Sequence, residues 1–168
     1  MNVESLNNVA SAIVSPGKGI LAADESTPTI KKRFDSINVP STEENRKNYR
    51  NMLFTTEGVS KYISGVILFD ETIRQKSPSG LPMVEVLTSA GIIPGIKVDK
   101  GAKALANSPS ETVTEGLDGL RERCQEYVSL GAKFAKWRAV IKIAPNLPSD
   151  LCIAANAHAL ARYAALCQ

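Results

Sequence analysis

Apolar residues recur at helical spacing from Val3 to Val14, with Val3, Leu6, Val9 and Ile13 on one stripe, and Ser15, Pro16 and Gly17 end it. The next apolar run, ILAADES from Ile20 to Ser26, reads as a strand that finishes in charged residues. Ser41 with Glu44 three residues on forms a capping box, and Asn45 to Phe54 continues as a polar helix with Tyr49, Met52 and Leu53 on one side. Tyr62 to Phe69 is continuously apolar apart from Ser64, the pattern of a strand covered on both faces. Leu81 to Ala90 predicts a short helix closed by Gly91, and GIIPGIKVDK then carries a third strand to Lys97. Gly116 to Leu130 predicts a helix closed by Gly131, followed by a fourth strand in AKFAKWR that ends at Arg138. Pro148, Ser149 and Asp150 open an alanine-rich helix from Leu151 to Cys167, with Ser149 as its cap.

Strand and helix thus alternate four times, and the connections are too long for hairpins, so the strands should run parallel with helices crossing between them. The expected fold is α/β, about four parallel strands with intervening helices, the first half of a TIM (β/α)8 barrel. Eight βα units typically take about 250 residues, whereas four occupy all 168 here, and the last helix reaches Gln168 without a capping glycine. Residues 1–168 are therefore expected to be the amino-terminal part of a single barrel domain, truncated after the helix that follows the fourth strand. Half a barrel leaves a strand edge unpaired, so such a piece alone is expected to self-associate.

Parallel strands bring Asp24, Lys97, Asp99, Lys136 and Arg138 toward one rim, where a β/α barrel does its chemistry. Alternation puts Lys97 and Asp99 on one face and Lys136 and Arg138 on one face, with Trp137 turned away to pack under a helix. Cations beside a carboxylate suit a phosphorylated or carbonyl-bearing substrate. A lysine beside a second cation is disfavoured as ammonium, and its neutral amine can form a Schiff base, which on these residues alone makes Lys136 a candidate nucleophile. The plainer reading of any strand-end lysine is a solvated or ion-paired one.

Composition narrows the classes. Twenty basic against 17 acidic residues give a net charge of +3, the basic ones are spread along the chain, and only 5% of residues are aromatic, so no nucleic-acid footprint is expected. Cys124, Cys152 and Cys167 show no metal or C-x-x-C spacing and read as reduced, buried thiols of a cytoplasmic protein. The start, MNVESLNNVASAIV, lacks a basic n-region and reads as no signal peptide, and no window approaches the roughly 20 apolar residues of a membrane span. His158, alone of its kind, is expected on a helix surface or in its core, and Lys31, Lys32 and Arg33, entering a helix, read as a solvated face sooner than a nucleic-acid patch.

Seven stretches run in the same order as in class I fructose-bisphosphate aldolase: PGKGILAADEST (Pro16 to Thr27), STEENRKNYR (Ser41 to Arg50), GVILFDET (Gly65 to Thr72), GIKVDKG (Gly95 to Gly101), TEGLDGL (Thr114 to Leu120), FAKWRAVIKI (Phe134 to Ile143) and ALARYAALCQ (Ala159 to Gln168). The chain resembles that family over essentially its whole length. The resemblance implies reversible cleavage of fructose 1,6-bisphosphate to dihydroxyacetone phosphate and glyceraldehyde 3-phosphate, through a lysine Schiff base, with no metal and no cofactor. It implies a cytoplasmic enzyme of glycolysis, with a sugar phosphate as substrate, no membrane partner, and a homotetramer for the complete protein. By motif, Asp24 resembles the carboxylate that orients substrate and assists proton transfer, and Lys136 the lysine that stabilises charge on substrate oxygens, a role different from nucleophile. Lys97 and Arg138 resemble residues near substrate and its phosphates. Ser26, Thr29, Lys32 and Arg33 resemble a phosphate-binding turn after the first strand, which explains the basic residues better than a solvated face or a nucleic-acid patch does, and Pro28, where the family commonly has glycine, is expected to stiffen that turn. Motifs resembling LLKPN, with the Schiff-base lysine, and VEPE do not occur after Arg138. The chain alone is therefore expected to be inactive; the alternative is a non-catalytic truncated product that binds sugar phosphate weakly or associates with full-length subunits.

Overall fold

The computed structural model describes residues 3–168; the first two residues, where the stretch read as no signal peptide begins, lie outside the described residues. In chain order the elements are α1 (Val3–Ile13), β1 (Gly19–Ala23), α2 (Thr27–Asp35), α3 (Glu43–Phe54), α4 (Val59–Tyr62), β2 (Ile63–Leu68), α5 (Asp70–Ile73), α6 (Met83–Ser89) and β3 (Ile93–Lys97). They continue as β4 (Ala102–Ala104), β5 (Thr112–Thr114), α7 (Leu120–Ser129), β6 (Phe134–Lys136) and α8 (Asp150–Cys167). The chain divides into two compact units, one of residues up to Lys97 with Tyr127–Ala135, the other of Val98–Glu126 with Lys136–Gln168.

In the first unit the expected sheet is present, four strands in the order β1-β2-β3-β6. β2 pairs in parallel with both β1 and β3, and the register sets Ala23 opposite Leu68 and Leu68 opposite Ile96. The apolar residues of β2 and β3 meet those of the helices: Val66, Leu68 and Ile96 are buried, as are Ile30 and Phe34 of α2, Phe54 of α3, and Met83 and Leu87 of α6. The Ser64 hydroxyl, alone in its apolar run, donates to the Ile13 carbonyl at 2.5 Å and lies 3.2 Å from the Gly19 carbonyl, tying the end of α1 to the start of β1. A Cβ on Gly95 would come within 2.3 Å of the Phe134 ring, so this strand position is occupied by the neighbour's side chain.

Several local readings need correction. The cap of α3 is Thr42, whose hydroxyl accepts from the Asn45 amide at 3.2 Å, whereas the Ser41 carbonyl accepts from the Arg46 guanidinium at 2.6 Å. The inward face of α3 runs through Arg50 and Phe54, each 1% exposed. Met52 is exposed instead of packed, while Tyr49 meets Phe34 edge-on at 5.8 Å. Tyr62 ends α4, so β2 starts one residue later. The helices α2, α4 and α5 are too short or too polar to stand out by periodicity, and α1 buries no residue at all.

The second unit contains an antiparallel hairpin that the sequence reading left as a connection, with β4 and β5 pairing Lys103 to Val113. Each strand has only three residues, too few to show alternation. The helix predicted from Gly116 begins instead at Leu120, because Gly116 has φ +133°, outside the helical region, and a Cβ there would lie 2.9 Å from the Lys100 amide nitrogen. Ser149 caps α8 as expected, accepting from the Cys152 amide at 3.2 Å. Trp137 does pack under a helix, its ring centroid 5.4 Å from that of Tyr163 in α8, and His158 is on the surface of α8. All three cysteines are free, but only Cys152 is buried; Cys124 and Cys167 are half-buried with their sulfurs 3.9 Å apart. Among the described residues no helix is long and apolar enough to cross a membrane.

Two outcomes test this packing. Gly95→Ala should destabilise by about 1–3 kcal/mol in urea unfolding through overpacking against Phe134, and adding Phe134→Leu should recover part of the loss. In the second unit the Ser149 hydroxyl and amide hold the Glu111 carboxyl below the usual carboxylate range. A lowered folded-state value means stability that is present above the unfolded carboxylate value and lost as pH falls through the folded one. Thermal melts from about pH 6 to about pH 3 should show a smaller acid loss for Glu111→Gln than for the unsubstituted chain.

Candidate functional site

Beyond Ala23 the chain leaves β1 as Asp24, Glu25 and Ser26, and both carboxylates are only 9% exposed. Two adjacent buried acids need cations or donors, and α3 delivers one from beneath. Arg50 donates from Nε to the Ala23 carbonyl at 2.7 Å, and from Nη2 to the Glu25 carbonyl at 2.9 Å and to Glu25 Oε2 at 3.0 Å. Its guanidinium lies 5.7 Å from the Tyr49 ring centroid. Burial pushes the Arg50 guanidinium down from its ordinary range, and the Glu25 carboxylate acts against that shift. The other oxygen of Glu25, Oε1, accepts from Arg33 Nη1. Glu25 is thus shared between a buried cation and an arginine whose side chain is 59% exposed.

Of the residues assigned to the phosphate turn, Ser26 is the N-cap of α2 and Thr29 lies in its first turn, with the two hydroxyl oxygens 3.1 Å apart. Neither hydroxyl is used up on capping: the Thr29 and Ile30 amides go to the Ser26 carbonyl instead, at 2.9 and 3.0 Å. Pro28 sits in this same first turn, where its missing N–H costs no helical hydrogen bond. The expected turn is therefore the start of a helix. Lys32 and Arg33 occupy the last turn of α2 and are exposed, while Lys31 pairs with Asp35 at 2.6 Å.

Lys97 is the last residue of β3 and half-buried. Because Ala23, Leu68 and Ile96 share one row of the parallel register, Asp24 and Lys97 each follow that row by one residue at the same end of the sheet. Two strand spacings separate their backbones, about 10 Å, and Phe69 follows Leu68 on the strand between them.

In the second unit Lys136 closes β6, half-buried, and its carbonyl accepts from the Val98 amide at 3.1 Å. Asp99 and Arg138 lie beyond the ends of β3 and β6, so strand alternation does not set their faces. Asp99 Oδ1 instead accepts from the Gly101 amide at 3.1 Å, and its buried Oδ2 has no hydrogen-bond partner. Arg138 is exposed, with its backbone held by the hairpin: Thr114 donates its hydroxyl to the Arg138 carbonyl at 2.7 Å, and Thr112 does the same to Val140 at 2.8 Å. The hairpin in turn hangs on buried Asn156 of α8, which donates to the Thr112 carbonyl at 2.9 Å and accepts from the Thr114 amide at 3.3 Å. Among the described residues no group of three or more histidine, cysteine or acidic side chains could hold a metal ion.

Sequence reasoning overlooked Glu25 and Arg50. The available signal was the chain ADES itself, two acids entering a helix behind an apolar strand, which demands a buried cation from some other element.

A family model for glycolytic class I fructose-bisphosphate aldolase matches residues 5–168. A probable fructose-bisphosphate aldolase class 1 of Xanthomonas axonopodis pv. citri is 64% identical over 168 residues, covering 100% of this chain and 50% of the relative. Fructose-bisphosphate aldolase 1 of Toxoplasma gondii is 62% identical over 161 residues, covering 95% of this chain and 44% of its own. Among solved structures, fructose-bisphosphate aldolase from Plasmodium falciparum, in complex with TRAP and a small-molecule inhibitor, superposes with a TM-score of 0.94 at 55% identity, over 98% of this chain and 48% of that one. The chain spans about half the length of the curated relatives it matches.

Proposed function

Because the chain belongs to the class I fructose-bisphosphate aldolase family, we propose that residues 1–168 are the amino-terminal part of a single barrel domain that, in the complete protein, cleaves fructose 1,6-bisphosphate reversibly. The products are dihydroxyacetone phosphate and glyceraldehyde 3-phosphate. The observation that supports this reading best is the shared register row, after which Asp24 and Lys97 both follow at one end of a parallel sheet, two strands apart. That is the end at which β/α barrels bind their substrates.

In this reading Asp24 orients the substrate and accepts a proton as the carbon–carbon bond breaks, a task suited to a carboxylate confined at a strand end. Lys136 stabilises negative charge developing on substrate oxygens, a fixed cation needing no rearrangement at the moment of reaction. Lys97 and Arg138 offset phosphate charge from the strand ends, and the Ser26 and Thr29 hydroxyls with Lys32 and Arg33 form the donor set on α2. The complete protein is a cytoplasmic homotetramer in the same reading.

The nucleophile is not among these groups. No LLKPN-like motif occurs in the 168 residues, so the chain by itself forms no covalent intermediate; the alternative is a non-catalytic product that binds sugar phosphate weakly or associates with full-length subunits. Incubation of the 168-residue chain with dihydroxyacetone phosphate and borohydride should leave its mass unchanged; a stable adduct on Lys97 or Lys136 would restore one of them as the Schiff-base lysine. Calorimetric titration with fructose 1,6-bisphosphate should show binding that weakens about tenfold, or ~1.4 kcal/mol, for Lys97→Ala.

A further inference from the structure

The α2 face that carries the two hydroxyls also carries Arg33, four residues beyond Thr29 and therefore its neighbour one turn on. A long, exposed arginine ordinarily samples many rotamers, and a ligand that needs it must bear the cost of ordering it. Here one of its terminal nitrogens is already committed to Glu25 Oε1, beneath the helix. Glu25 does not use its whole charge on that contact. Its second oxygen meets Arg50, which is 1% exposed and permanently charged, so one carboxylate is held between two guanidinium groups. The remaining donors of Arg33 have no protein partner among the described residues.

We propose that Glu25 is a positioning residue: its carboxylate, anchored by Arg50, fixes the Arg33 guanidinium beside the Ser26 and Thr29 hydroxyls, so that a phosphate dianion meets donors already aimed. The proposal rests on the phosphate role given to Arg33 above. It adds that the affinity of this face is set from below by two side chains that never touch the ligand. Arg50 reaches three acceptors at the end of β1 and so fixes the direction of the Glu25 carboxylate, while Glu25 transmits that direction to Arg33.

A double-mutant cycle on the 168-residue chain, with inorganic phosphate as the probe and chemical-shift titration as the readout, tests it. Glu25→Asp keeps the charge that Arg50 requires but withdraws it by one methylene from Arg33. Arg33→Ala should weaken phosphate about tenfold, Glu25→Asp several-fold, and Glu25→Asp should have no further effect once Arg33 is alanine. A Glu25→Asp loss of equal size in both backgrounds, or none in the native background, overturns the proposal and leaves the phosphate role of Arg33 standing. An Arg33→Ala chain that binds phosphate normally removes both. Should Glu25→Asp fail to fold, the guanidinium resonances of Arg33 in the unsubstituted chain decide. Separate, slowly rotating terminal NH2 signals before phosphate is added support the clamp, and one averaged signal overturns it.

Discussion

Arg50 is 1% exposed, and an arginine side chain cannot shed its charge to escape a dry environment. Every element that touches it must therefore supply an acceptor, and those acceptors lie 25 and 27 residues earlier in the chain, at the end of β1. The contact dictates where α3 lies against the strand, which way the Glu25 carboxylate points, and where the backbone turns from strand into α2. Apolar side chains of similar volume could hold a helix on a strand as firmly. They would not fix the direction of a carboxylate, as Arg50 fixes that of Glu25.

The two units order their candidate site residues by different means. In the first, charge does it: Arg50, Glu25 and Arg33 form a chain of ion pairs running from the interior to the surface of α2. In the second, neutral groups do it: Asn156 holds the hairpin, and the hairpin hydroxyls of Thr112 and Thr114 hold the backbone of Val140 and Arg138. Charged contacts gain most where water is excluded and lose strength in salt where it is not, whereas the neutral hydroxyl contacts to Arg138 and Val140 are little affected by salt. An anion approaching Arg138 thus meets a side chain free to move on a fixed backbone, while one approaching Arg33 meets a side chain that is itself tethered.

Much of the sheet was legible in the chain. ISGVIL reads as a covered strand, Gly91 and Gly131 stop helices before strands, and Ser149 caps α8 with its own hydroxyl. Parallel pairing then put Asp24 and Lys97 at one end without further information. What periodicity could not show is a cation filling an apolar position: Arg50 occupies the buried stripe of α3, and the apolar residue chosen in its place, Met52, faces water. Alternation likewise stopped being a guide at Asp99 and Arg138, because the strands end before them. Gly116 looked like the first residue of a helix, yet its positive φ serves a close backbone approach to Lys100.

The chain has a single tryptophan, and it stands between Lys136 and Arg138 with its ring tilted 33° to that of Tyr163. Burial pushes the Tyr163 phenol up to about 12, so it stays protonated at ordinary pH and cannot act as a tyrosinate quencher beside the indole. Trp137 belongs to the second unit. Its fluorescence is accordingly a built-in optical probe of that unit alone, flanked in sequence by Lys136 and Arg138, while the ion-paired end of β1 has a tyrosine, Tyr49, and no tryptophan beside it.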